Sequence, residues 1–592
     1  MKVSDYIAEF VSGITSHVFG VCGGGAMHLN DSIAHHPMLK WVATHHEQAA
    51  AFAAESYARV SNKIGVVHVT AGPGVTNAIT GAACAWADSL PMMVIAGQVD
   101  SSTLRQNGVR QLGISEVDGV ALMQPITKHA FCIRSPEHVV FAMQRAYHYA
   151  MHGRRGPVYI EVPLDVQNAE IDPSACLEFD PNHDHKLRSP SLRREDVTKV
   201  LALLQASKKP IILVGNGVHL SGAEALFDEF LDIGPKIPVL CSWNGADLIS
   251  SDHPLYVGRP GLIGDRAGNF AIQNADLVIA LGTRLSLPQI GHNYKDFARN
   301  AKLVMVDIDA AETKKKTLRV DLPIVADVRE FLDELLTQYH GMPSLDWDDW
   351  LMKCRSWRET YPAIVPEYAD VTDGVHSYFF LQELAKHIDK DAIIVTDVGT
   401  SFVGTMQAMP MTGKQRMYHS PGIAPMGYGL PAAIGACFAA PGRQVICLTG
   451  DGGTMFNLQE LQTIKHHKLP ILIVLYANNG YKTMQVTQGN HFKREAVSSP
   501  ESDISWPVFS TVAKAFGIQP FTLTCFDEHM ASMFEWIITR APKPFFLELL
   551  LSKSQTIVPL VKTKVEDGKF IPVPLEDMWP FLPRDEYEKV SH

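Results

Sequence analysis

The chain has no Cys-x-x-Cys pair among its nine cysteines, and their scatter leaves free thiols in a reducing compartment as the expectation. No uninterrupted apolar run approaches the length of a membrane span. Residues 1–10 hold Lys2, Asp5 and Glu9 where a signal peptide needs an apolar stretch, so they read as the opening turns of a helix. The net charge of −11 shows no strong clustering, which argues against the basic patch of a nucleic-acid binder. These absences point to a soluble, cytoplasmic protein with neither nucleic-acid nor membrane partners. What is present is ordinary globular material, 46% apolar and 19% charged over 592 residues. That length accommodates roughly three or four domains.

Short β-branched runs alternate with helical stretches, the pattern of stacked α/β domains. Runs at 66–69, 92–95 and 158–162 are strands of a first block. Periodicity fades after Pro163 while Asp, Asn, His and Pro gather, so a linker is expected near 170–190. A second block holds runs at 211–214, 277–281 and 303–306 and ends around Tyr339, with a connector starting at 341–344. A third holds runs at 393–395, 445–449, 471–476 and 545–550. From Ser552 onward the prolines at 559, 572, 574, 580 and 583 predict an irregular tail over the surface. The expectation is an α/β fold of three doubly wound parallel-sheet domains at 1–170, 190–340 and 365–555, then a tail at 556–592.

The stretch 449–481 concentrates the chemistry. A buried strand turns through Gly450-Asp451-Gly452-Gly453 into a helix with Leu458, Leu461 and Ile464 on one face, and a second strand leads to Asn478. Asp451 and Asn478 then fall at the carboxyl ends of two parallel strands, where such sheets bind ligands. Mg2+ takes about six oxygens, usually one or two carboxylates plus phosphate oxygens. Asp451, the Asn478 side chain and a carbonyl near Gly480 could supply the protein's share. The helix start beyond Gly453 offers N–H groups to the phosphates. Taken alone, the Gly-Asp-Gly is equally a glycine-rich turn with a capping aspartate.

In the first block a strand leaves through Gly23-Gly24-Gly25, and His45-His46-Glu47-Gln48 opens an alanine-rich helix that runs to Arg59. A lone carboxylate there is most simply a helix-dipole partner, and His45 and His46 packing residues. Thr70-Ala71-Gly72-Pro73, leading to Asn77, is a second strand-to-helix turn, and Asp88–Pro91 with Gly97-Gln98 brackets another strand.

In their order, segments 18–25, 46–59, 70–77, 88–91, 155–163, 426–435 and 449–481 resemble the thiamine-diphosphate-dependent enzymes, specifically the acetohydroxyacid (acetolactate) synthase-like branch. The resemblance covers about residues 1–555. It implies that the first and third blocks are the pyrimidine- and diphosphate-binding domains, with a central domain between them. It also implies that each site draws these two domains from different subunits of a homodimer or homotetramer. Asp451, Asn478 and the carbonyl of Gly480 match the Mg2+ ligands. Ala477 stands where the family has its first Asn, so the register from Asp451 selects Asn478 over Asn479. Gly24, Pro73, Asn77, Thr400, Ser401, Gly450, Gly452, Gly453 and Tyr481 fall among cofactor-binding positions, and Met426 matches the apolar residue under the bent cofactor. Glu47 matches the carboxylate that hydrogen-bonds the aminopyrimidine and directs its proton traffic.

The middle block has glycine turns at Gly217, at 258–264 and at Gly282-Thr283-Arg284, with Asp307 and Asp327 at later strand ends. That suits a dinucleotide, with diphosphate on backbone N–H groups and carboxylates on hydroxyls. The branch binds FAD here, which makes Gly217, Arg284, Asp307 and Asp327 its expected contacts. Ser286, Leu287, Pro288 and Ile263 depart from the branch's pattern, so an empty or ADP-binding domain is the alternative. The branch decarboxylates pyruvate and adds the acetyl unit to a second carbonyl. Ile114-Ser115-Glu116 replaces its Phe-Gln-Glu element, with Gln111 as the candidate substitute. Thr487 aligns with the tryptophan that narrows the acceptor pocket, which should widen it and remove its apolar wall. The expectation is therefore a carboligase for a bulkier or more polar ketone, ketosugar or 2-oxo acid. Acetolactate formation from two pyruvates is the runner-up. A non-catalytic paralogue is disfavoured by the joint presence of Glu47, Asp451 and Asn478.

Overall fold

The computed structural model describes all residues except 106–107, 185–189, 341–344, 563, 567–568, 572 and 592, so the connector expected at 341–344 and part of the linker near 170–190 lie outside it. Three parallel sheets of six strands follow one another along the chain. The first contains β1 (His17–Gly20), β2 (Lys40–Ala43), β3 (Gly65–Val69), β4 (Met92–Gln98), β5 (His129–Cys132) and β6 (Pro157–Pro163), in the order β2-β1-β3-β4-β6-β5. The second contains β7 (Pro210–Val214), β8 (Val239–Cys241), β9 (Tyr256–Gly258), β10 (Leu277–Leu281), β11 (Lys302–Asp307) and β12 (Leu322–Val325). Its order, β12-β11-β10-β7-β8-β9, is the 3-2-1-4-5-6 arrangement of dinucleotide-binding sheets. The third contains β13 (Ile393–Thr396), β14 (Arg416–Tyr418), β15 (Val445–Gly450), β16 (Ile471–Ala477), β17 (Gln519–Leu523) and β18 (Phe545–Leu550), and repeats the order of the first. The inner strands are continuous apolar runs because helices cover both faces of each sheet.

The helices that carry the candidate site are α1 (Glu47–Ser61), α2 (Pro73–Ala87), α3 (Thr400–Ala408), α4 (Gly429–Ala439), α5 (Asp451–Phe456) and α6 (Lys482–Phe492). The alanines of α1 let it lie directly on α4. Ser56 donates to the Ala432 carbonyl at 2.6 Å, and a Cβ on Gly435 would collide with the Ala53 carbonyl. One apolar core, including Phe52, Val67, Tyr428 and Ile473, thus runs through the first and third units, while the second keeps its own. Arg59 is buried in this contact, paired with Glu55 at 2.5 Å and Asp88 at 2.8 Å, and Tyr428 donates to Glu55 at 2.5 Å.

The tail does more than cross the surface. Leu575, Glu576 and Met578 are buried against the second unit, where Asn269 donates to the Leu575 carbonyl at 2.8 Å and Gln273 to Glu576 at 3.0 Å. A closing helix spans Arg584–Val590. The prolines hid this because they punctuate the chain without excluding buried side chains between them. No helix among the described residues is long and apolar enough to cross a membrane.

Candidate active site

The third sheet builds the first part of the site at its carboxyl edge. β15 ends at Gly450, and α5 begins at Asp451 itself, so Gly452 and Gly453 lie in the first helical turn and not ahead of it. α5 stops at Asn457, and Leu461 and Ile464 belong to a separate helix, Glu460–His466. The break has a physical reason: the Asn457 amide donates to the Gly427 carbonyl at 2.8 Å and to Gln48 at 3.3 Å, contacts that a continuing helix would pull apart. Both glycines are required by close approach. A Cβ on Gly452 would collide with the Tyr481 ring, and one on Gly453 would stand 2.5 Å from the Asp397 carboxyl carbon.

Asp451 Oδ2 accepts the backbone N–H groups of Asn478 at 3.2 Å and Gly480 at 3.0 Å. Burial pushes the Asp451 carboxyl up to about 6, against the pull of those N–H groups. Asn478 donates its amide to Thr400 Oγ1 at 3.1 Å. Its Oδ1 then stands 2.6 Å from the Gly480 carbonyl oxygen and 3.2 Å from Asp451 Oδ2. Adjacent ligands of an octahedral Mg2+ are about 2.9 Å apart, so in this amide orientation Oδ1 stands at such spacings from both neighbouring oxygens. The opposite amide orientation would hydrogen-bond to the same two oxygens instead, which is the arrangement suited to a metal-free site. Asn479, at φ 56°, is exposed and meets Asp451 through its backbone N–H alone.

α3, α5 and α6 all start without a side-chain cap, at the ends of β13, β15 and β16. Uncapped helix starts can hold N–H groups ready for an anion, but at α6 the N–H groups of Tyr481 and Lys482 are spent on the Ser498 and Gly480 carbonyls at 2.9 and 3.0 Å, which leaves α3 and α5 as the donors. Thr400 and Ser401 open α3, Gly452 and Gly453 lie in the first turn of α5, and Tyr481 precedes α6. The donor set and these N–H groups fit a diphosphate held through a divalent cation. Met426 sits in a turn with Ala424 at φ 53° and Gly427 at φ 84°.

The first sheet supplies a second group. Glu47 is the first residue of α1, and Asn77 on α2 donates to its Oε2 at 2.9 Å. His46 caps α1 by accepting the Gln48 N–H at 3.2 Å, and the His45 backbone N–H donates to Glu460 of the third unit at 3.0 Å. Gly24 and Pro73 are exposed in the two neighbouring strand-to-helix turns. Gly25 N–H donates to Thr70 Oγ1 at 3.1 Å and joins those turns. Among the described residues, no hydrogen bond links Glu47 to the Asp451 group.

The second unit holds a cavity of about 470 Å3 whose lining includes Gly217, Arg284, Asp307 and Asp327. Arg154 and Arg155 enter from the first unit and Pro421 and Gly422 from the third. The volume suits a cofactor site. The Gly217 N–H is spent on the Gly282 carbonyl at 2.8 Å, so this glycine serves turn packing and not phosphate donation. Asp307 and Asp327 each accept one backbone N–H, from Asp309 at 2.9 Å and Arg329 at 2.8 Å. Arg284 reaches the Ala87 carbonyl at 2.9 Å. Ile114 is exposed, while Glu116 organises its loop by accepting the N–H groups of Leu112 at 2.8 Å and Gly113 at 3.2 Å.

Two buried polar groups near the site escaped the sequence reading. Asp397 is buried under the Met426 turn and accepts Gly427 N–H at 3.2 Å and Gly429 N–H at 2.8 Å. It sits at a strand end as Asp451 does, so the same rule could have found it. The Arg59–Glu55–Asp88 cluster left no comparable signal, because Asp88 is far along the chain.

Models of the thiamine pyrophosphate enzymes match residues 1–122 (N-terminal TPP binding domain), 197–335 (central domain) and 397–549 (C-terminal TPP binding domain). The chain is 33% identical to the acetolactate synthase large subunit of Lactococcus lactis subsp. lactis (strain IL1403), over 94% of this chain and 93% of that one. It is 32% identical to acetolactate synthase isozyme 1 large subunit of Escherichia coli (strain K12), over 92% of each. A probable acetolactate synthase large subunit of Methanocaldococcus jannaschii is 33% identical, over 91% of this chain and 90% of its own.

Proposed function

The chain belongs to the thiamine pyrophosphate enzymes as an acetolactate synthase-like member, and on that premise we propose that it decarboxylates pyruvate and adds the acetyl unit to a carbonyl acceptor larger or more polar than pyruvate. Thiamine diphosphate supplies the nucleophile and electron sink of such chemistry. The proposed units are residues 1–170, 190–340 and 365–555, with Asp451, Asn478 and the Gly480 carbonyl holding Mg2+. Thr400, Ser401, Gly452 and Gly453 orient the diphosphate through their helix starts. Met426 supports the bent cofactor from its turn. Glu47 holds and returns a proton at Oε1, while Asn77 keeps Oε2 occupied.

The homodimer or homotetramer implied by the family resemblance, with sites that combine two copies, is part of this reading. Met27, Ile423, Met455 and Phe456 are exposed apolar side chains beside these groups, and a second copy would cover them. In the central cavity we assign FAD, supported by the 3-2-1-4-5-6 strand order and the two half-used carboxylates at Asp307 and Asp327. The visible absorbance of pure protein tests it, and a colourless, fully active preparation would remove the flavin.

The observation that carries the acceptor reading is α6. It follows the metal group directly and buries none of its residues, and Thr487 on it is exposed, with its hydroxyl turned back to the Thr483 carbonyl at 2.8 Å. A polar, open wall accommodates a large or hydrophilic acceptor better than a second pyruvate. The second reading, acetolactate from two pyruvates, is favoured by the names of the relatives. The deciding assay offers pyruvate alone, then pyruvate with ketone, ketosugar and 2-oxo acid acceptors, with products read by mass spectrometry. Acetolactate as the sole efficient product reverses the ranking, and no turnover with any substrate points to a non-catalytic paralogue.

A further inference from the structure

Lys482 is the first residue of α6, a position where a cation opposes the positive end of the helix dipole. No acidic residue lies in the first turn to offset it. The Lys482 side chain lines a small cleft with Thr400, Asn478, Val486, Leu551 and Gln555, and among the described residues no other cationic one lines that cleft. Its ammonium donates to the Lys553 carbonyl at 3.1 Å, an exposed contact that leaves two of its three donors uncommitted. Thr400 Oγ1 and the Asn478 amide, 3.1 Å apart, form the wall shared by this cleft and the convergent oxygens beside Asp451.

Charge supplies the reason for a lysine there. A divalent cation bound beside the Asp451 carboxylate is already partly neutralised, so a diphosphate bound to it keeps net negative charge. Lysine acts on phosphate as a mobile point charge, and four rotatable bonds allow its ammonium to leave an exposed carbonyl for a nearby anion. An anion at this place would also remove the unfavourable pairing of Lys482 with the start of α6.

We propose that Lys482 is a second cation for the diphosphate, contacting its terminal phosphate from the α6 side. The proposal rests on the reading that thiamine diphosphate binds at Asp451 and Asn478. Trp506 packs on Tyr481 with ring centroids 5.0 Å apart and provides an intrinsic fluorescence reporter beside the site. The experiment titrates the full-length native protein, Lys482→Met and Lys482→Arg with thiamine diphosphate, and separately with thiamine monophosphate, at fixed Mg2+. Lys482→Met keeps the length and apolar stem of the side chain, and circular dichroism checks its fold. The expected result is a roughly ten-fold weaker Kd for the diphosphate in Lys482→Met, recovery in Lys482→Arg, and a monophosphate Kd that hardly changes. A diphosphate Kd unchanged in Lys482→Met, or an equal loss for both ligands, would overturn the role of Lys482 while leaving the cofactor reading intact. Failure of the native protein to bind thiamine diphosphate at all would overturn both.

Discussion

Asp397 Oδ2 accepts the Gly429 backbone N–H at 2.8 Å, which fixes the start of α4 and the turn that presents Met426. Its other oxygen takes Gly427 N–H at 3.2 Å and Val398 N–H at 2.8 Å, so every partner of this carboxylate is a donor. Asparagine at 397 would have to point its NH2 at one of them. Asp397→Asn is therefore expected to lower thermal stability and to weaken thiamine diphosphate binding about ten-fold by loosening the turn. Calorimetric titration alongside a melting curve checks both, and native affinity in the variant would show that the turn holds without it.

Glu47 has one oxygen committed to Asn77 at 2.9 Å and the other available. Glu47→Gln keeps the shape and loses the exchangeable proton. Turnover of pyruvate should fall by about 10²–10⁴, the usual contribution of a positioned acid–base group, while the Kd for thiamine diphosphate changes little. Steady-state rates and binding measured on the same preparation separate the two effects. Unchanged turnover would remove Glu47 from proton transfer.

Arg59 lies in the contact between α1 and α4 with two carboxylates and little water. Removing one partner of a buried charge cluster leaves the others uncompensated, which typically costs about 3–5 kcal/mol. Arg59→Met should destabilise the protein by that amount, seen as a lower urea midpoint. Because Glu55 also receives the Tyr428 hydroxyl, and Tyr428 immediately precedes α4, the same variant should weaken cofactor binding. A loss of stability without any change in binding would confine the cluster to the fold.

The parallel sheets were legible because buried β-branched runs alternate with glycine turns and helices, and Asp451 and Asn478 because they follow such runs directly. The start of α5 was placed too late, since the glycines were read as a turn when the sterics of Tyr481 and Asp397 require them inside the helix. The break at Asn457 depends on Gly427 and Gln48, neither near it in the chain. Gly217 was read as a phosphate donor, although only the folded contact with Gly282 shows where its N–H goes. What escaped the sequence was in each case a contact between distant segments.

Burial pushes Asp307 in the central cavity up to about 6, well above the usual carboxylate range near 4. Only the ionised form is a charge-assisted acceptor for ribose hydroxyls. If FAD occupies the cavity, its affinity should rise with pH through about 6 and level off above, and Asp307→Asn should flatten that profile. The contribution of Asp307 to the stability of the cofactor-free protein should run the other way. Asp265, Asp397 and Asp451 are also raised to about 6 by burial, so each of these carboxyls keeps a proton in the fold between about pH 4 and 6 that it loses in the unfolded chain. The stability these groups contribute is complete below about pH 4 and is lost as pH rises through about 6. Flavin release measured by fluorescence, and the difference in urea midpoint between the cofactor-free native protein and Asp307→Asn, give opposite slopes across that range if both statements hold. A flavin affinity independent of pH in the native protein would remove Asp307 from the binding site.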